Sequence, residues 1–175
     1  MKKKALALVL ALTLLVAGIV GGTLAWLTDQ TAEVKNTFTV GDINIGLTET
    51  TADYKMVPGN TIAKDPTVTV KANSEACWLF VKVTESTDLK DFITYAIAEG
   101  WTELEAGVYY REVPASAADQ TFSVLADDAV TVKSDVTRTM LETAKTDAPT
   151  LTFKAYAIQK DHFATADAAW AEVSK

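Results

Sequence analysis

Short stretches in which apolar and polar residues alternate recur along most of the chain. Ile43, Ile45 and Leu47 alternate with Asn44, Gly46 and Thr48, and Thr69 separates Val68 from Val70. Phe122 with Val124, Val130 with Val132, and Phe38 with Val40 repeat the arrangement around one polar residue each. Successive side chains of an extended chain point to opposite faces, so each stretch reads as a strand with one face on a core and the other toward water. Gly41-Asp42, Pro58-Gly59-Asn60, Asn73-Ser74 and Asp127-Asp128 lie between the stretches and supply turn-forming residues.

Two further segments refine the picture. Cys77-Trp78-Leu79-Phe80-Val81 is apolar at both parities, which predicts a central strand covered on both faces. Leu151 to Gln159 reads as a long strand with Leu151, Phe153, Ala155 and Ala157 on one face. Trp101 to Leu104 and Val108 to Tyr110 flank Gly107 as a hairpin. About eight or nine short strands predict an all-β fold, a jelly-roll-like antiparallel β-sandwich. Helix is scarce. One short helix is expected over Thr137–Lys145, capped by Ser134 or Asp135, and a second over Ala166–Val173 that docks Trp170 on the sandwich.

The beginning of the chain has a different pattern. Lys2, Lys3 and Lys4 precede an uncharged run from Ala5 to Leu27, broken by Gly21-Gly22. Thr23-Leu24-Ala25 puts small residues before a cut between Ala25 and Trp26, the form of a secretory signal peptide. The expected division is residues 1–25 as leader and 26–175 as one secreted β-sandwich domain. The rival is an uncleaved anchor, since roughly 20 apolar residues cross a bilayer; any membrane association would then run through the leader alone.

Charge and composition narrow the chemistry. The chain carries 16 Lys or Arg against 23 Asp or Glu, a formal net charge of −7, with one His and one Cys. Cleavage would remove three lysines and no acid, leaving 13 basic residues against 23 acidic ones and a net charge of −10. One Cys forms no internal disulfide, and one His with one Cys builds no structural zinc site of the common kinds. So acidic a chain is a poor ligand for nucleic acid, and none is expected as a partner. No His-Glu-x-x-His occurs, and His162 stands alone, read as a loop residue before the last helix. Asp127-Asp128 reads as a turn rather than a calcium loop, Cys77 as a buried thiol, and Trp101, Tyr109 and Tyr110 as cross-strand packing rather than a carbohydrate patch. No catalytic residue, metal or cofactor is expected.

Several of these segments are recognisable together. Gly21-Gly22-Thr23-Leu24-Ala25-Trp26-Leu27-Thr28-Asp29 resembles the leader and mature start of the TasA/camelysin family, and Asn36 to Ile45 its first strands. Val57-Pro58-Gly59-Asn60-Thr61 followed by Lys64-Asp65 is similar to the family's Pro-Gly turn, and Leu151 to Gln159 resembles its closing strand. The resemblance implies a jelly-roll domain, processing by a SipW-type signal peptidase, and a place at the cell surface or in the extracellular biofilm matrix as a fibre-forming protein. It also brings in the peptidase association of camelysin, for which the residues offer no ligand set.

The segment Asn36, Thr37, Phe38, Thr39, Val40 and Gly41 has two readings. Freed near its start by cleavage, it can pair with the open sheet edge of another copy and give a homo-oligomer or filament. Equally, it can pair inside its own sheet. The alternative at the level of function is a monomeric cell-surface binding module.

Overall fold

The computed structural model describes residues 42–50 and 54–175, within the compact unit Val40–Lys175. Ten strands and three short α-helices follow one another along these residues. The strands are β1 (Ile45–Thr48), β2 (Thr61–Ala63), β3 (Thr67–Val70), β4 (Cys77–Glu85), β5 (Ile93–Thr94), β6 (Thr102–Glu105), β7 (Val108–Val113), β8 (Gln120–Ser123), β9 (Ala129–Val132) and β10 (Leu151–Gln159). The helices are α1 (Leu89–Phe92), α2 (Arg138–Ala144) and α3 (Ala166–Val173). Every strand pair is antiparallel. The strands form three sheets, in the orders β1-β3-β8, β10-β4-β7-β6 and β2-β9-β5. The all-β sandwich expected from the alternation is the fold observed.

The four-stranded sheet lies at the centre because β4 is apolar on both sides. Cys77, Leu79, Val81 and Val83 face inward and pack with Val113 against Val68 and Val70 of β3 and Val124 just after β8. Trp78 and Phe80 face the other way and pack with Val108 against Ala166, Ala169 and Trp170 of α3. A third cluster, built on Leu89, Phe92, Leu125, Val130 and Val132, joins α1, α2 and the β2-β9-β5 sheet.

The predicted hairpin forms as β6 and β7. Gly107 stands between them at φ 76°, and a Cβ there would lie 2.7 Å from the Val83 carbonyl oxygen, so only glycine fits. Helix α3 occupies the expected residues and is capped by Thr165, whose hydroxyl accepts from the Ala168 N–H at 3.3 Å.

One detail differs from the sequence reading. Helix α2 is capped by Thr137, which accepts from the Met140 N–H at 3.3 Å, not by Ser134 or Asp135. The chain first turns through Val136, whose side chain is buried, and the helix starts only beyond it. Trp101, Tyr109 and Tyr110 do not form one patch: Trp101 and Tyr109 pack on the inner cluster and Tyr110 on the outer one. Neighbouring positions of β7 face opposite ways, and this separates them.

Candidate functional site

The residues predicted to carry function at the start of the chain, Ala25 and Trp26 at the cut and Asn36 to Gly41 as the exchanged strand, lie outside the described residues. The described residues present the margins of two sheets.

Among the described strands, β10 is one edge of the central sheet and β1 one edge of the three-stranded sheet. Nine residues of β10 pair with β4, and among the described strands its other side pairs with none. At about 3.3 Å per residue that margin runs about 30 Å, longer than the about 20 Å of a six-residue strand. The margins of β1 and β10 come together around a cleft of about 290 Å³ lined by Leu47, Thr48, Glu49, Pro66, Leu151, Thr152 and Phe153. Leu47 is 36% exposed there, one of the two large apolar side chains that stand out on the described surface.

A polar cluster adjoins this cleft. Lys64 is only 7% exposed, and its Nζ lies 2.6 Å from Oε1 of Glu49. The same Nζ sits 4.6 Å from the centre of the Tyr54 ring and 5.4 Å from that of Phe153. Tyr54 donates its hydroxyl to the same Glu49 Oε1 at 2.6 Å. Burial and the Glu49 carboxylate hold the Tyr54 phenol well above its ordinary value, so it remains a donor. One residue along each segment, the Thr50 N–H donates to Asp65 Oδ1 at 2.9 Å and the Thr50 hydroxyl donates to Asp65 Oδ2. Those two bonds, more than any neighbouring charge, hold the Asp65 carboxyl below its usual range.

The sequence reading missed this cluster, although a signal for it was present. Ile62, Lys64, Pro66, Val68 and Val70 share one parity, and all five turn toward the interior. A lysine inside that inward-facing series calls for a partner.

Lys64 also borders a second cavity of about 450 Å³, whose apolar walls include Met56, Ile62, Leu89, Ile93, Val130 and Leu151. Elsewhere the polar residues lie apart. Cys77 is fully buried in the inner cluster, and burial pushes its thiol up to about 11. His162 belongs to the turn Lys160–His162 that leads into α3. Asp127 and Asp128 both take positive φ, at 55° and 49°, in the turn before β9. Among the described residues no group of three His, Cys, Asp or Glu side chains is placed to hold a metal ion. No described helix is long and apolar enough to cross a membrane.

Residues 1–92 match the family model described as camelysin metallo-endopeptidase. The matched stretch takes in residues 1–25, the Asn36–Gly41 segment, β1 to β4 and both halves of the Glu49–Lys64 pair. No curated protein and no solved structure matches the chain.

Proposed function

The chain belongs to the camelysin metallo-endopeptidase family, and from that membership we propose an exported structural protein of the cell surface or biofilm matrix. In this reading a SipW-type signal peptidase cuts between Ala25 and Trp26. Asn36 to Gly41 of one copy then adds to the β10 margin of the next. The observation that carries the reading is that margin: nine residues long, paired on one side among the described strands, and next to a cleft holding the exposed Leu47.

The energetics make such pairing conditional. Each added backbone hydrogen bond nets about 0.5–1.5 kcal/mol. Burial of Phe38 and Val40 adds about 1.5–3 kcal/mol each. Association costs an estimated ~4–15 kcal/mol, so filaments form only above a threshold concentration. Donor and acceptor are different surfaces, so the contact is head-to-tail, and where its rotation does not close a ring the assembly grows open-ended.

The name of the family carries a metal-dependent peptidase activity that the donor set does not support. A catalytic zinc takes three protein ligands, and this chain has one His and a Cys sealed in the core. His162 and the carboxylates of the described residues form no cluster for a metal ion. No catalytic step through a metal is therefore derived for it.

Electron microscopy of the processed protein beside a truncation that begins after Gly41 tests the assembly reading. Filaments from the first and folded single particles from the second are expected. Filaments of full length from the truncated protein would overturn it. Intact mass of the processed sample, expected to start at Trp26, tests the cleavage in the same preparation.

A further inference from the structure

We propose that Glu49 and Lys64 become joined by an amide bond, an internal cross-link between the segment after β1 and the segment after β2. The geometry is that of two reactants already in place. The Lys64 side chain is 9% exposed, with Nζ 2.6 Å from the Glu49 carboxylate and the rings of Tyr54 and Phe153 at 4.6 and 5.4 Å. The adjacent pair, Thr50 with Asp65, is clamped by the two hydrogen bonds from Thr50. Two consecutive residues on each segment are thus held in register, and the entropy of bringing amine and carboxyl together is already spent.

Lys64 is buried while the Glu49 side chain keeps 25% of its surface exposed, so desolvating the lysine offsets much of the attraction and the pair is weak evidence for stability. A lysine kept at this inward position gives the fold little as a charge but has a use as a nucleophile. The reactive form is the neutral pair, an amine facing a carboxylic acid that carries its proton on Oε2, with Nζ 2.6 Å from Oε1. Nζ attacks Cδ of Glu49 and a C–N bond forms. Tyr54, whose hydroxyl already donates to Oε1, stabilises the negative charge that develops on that oxygen. The bond from Cδ to Oε2 then breaks, and Oε2 leaves as water with the acid's proton and one from the amine. The product is an amide and one water, with no oxidant, reductant or further reactant. The aromatic rings that shield Nζ also hinder the reverse hydrolysis. In a chain with a single Cys, such a bond supplies a covalent staple that a disulfide cannot.

Tryptic peptide mapping of the folded full-length chain by mass spectrometry reads the bond directly, because trypsin does not cut after an acylated lysine. The expected species is Asn36–Lys55 joined to Met56–Lys71, lighter than the sum of the two by one water. Glu49→Ala and Lys64→Arg should each abolish it. Free Met56–Lys64 at full mass, with no joined species in protein shown to be folded by circular dichroism, would overturn the proposal. So would a joined species that survives Glu49→Ala. Neither result depends on whether filaments form, so the outcome is separate from that of the assembly reading.

Discussion

β4 and β10 are nine residues each and pair one to one, from Cys77 opposite Gln159 to Glu85 opposite Leu151. They nevertheless live in different surroundings. β4 has a strand on either side and a packed layer on either face, and Cys77 to Val81 are all buried. β10 has β4 on one side, and none of its residues is fully buried. Large apolar side chains fill β4, whereas β10 places Ala155 and Ala157 opposite Val81 and Leu79. Two strands sharing one hydrogen-bond ladder thus divide the work: one anchors two layers, and the other has a margin that no other described strand pairs with.

The sharpest way to break that contrast is a matched pair of truncations. Phe80 and Tyr156 are register partners, and their rings lie 5.3 and 5.2 Å from that of Trp170. Phe80→Ala, at a fully buried position, should destabilise the fold by about 3–5 kcal/mol. Tyr156→Ala, partly buried on the edge strand, should lose only about 1–2 kcal/mol. Urea denaturation gives both values, and equal losses would dissolve the distinction between anchor and margin.

Alkaline pH gives the next largest effect and acts on β4 through Cys77. Burial raises the Cys77 thiol from 9.0 to about 11, so the folded protein holds its proton more tightly than the unfolded chain does. The stability this contributes is complete below about pH 9 and is lost as pH rises toward 11. The melting temperature should fall across that window, and less steeply in Cys77→Ala. The same slope in both proteins would remove Cys77 as the cause. Tyr95 and Tyr109, raised mainly by burial, act with the same sign at higher pH. Gln159, the partner of Cys77 in β10, has nothing to titrate.

The smallest effect concerns the margin. At the net charge of −10 that cleavage before Trp26 would leave, copies would repel one another at low salt, and added salt or mild acid should promote their association. Light scattering should rise along both titrations, and a flat trace would count against pairing at β10.

How much of this was legible follows from the length of each element. The two nine-residue strands declared themselves, β4 by being apolar at both parities and β10 by its alternation over the whole span. Helix α3 was readable from Trp170 and its neighbours. β2, β5 and α1 were not, because two to four residues are too few to display a period, and tertiary packing decides their conformation. The Thr137 cap escaped because Ser134 and Asp135 offered equally good capping chemistry, and burial of Val136 moved the start. The Glu49–Lys64 pair is 15 residues apart in sequence. Lysine 64 could be seen at an inward parity, but its partner is set by how β1 lies beside the segment after β2, which no local pattern encodes.

Trp170 packs against Phe80 of β4 and Tyr156 of β10, while its ring N–H donates to Glu105 in β6 at 2.8 Å. β10 and β6 are the opposite borders of the four-stranded sheet. One indole therefore fastens both borders, and a pull applied along β10 is shared across the full breadth of the sheet instead of peeling off its last strand.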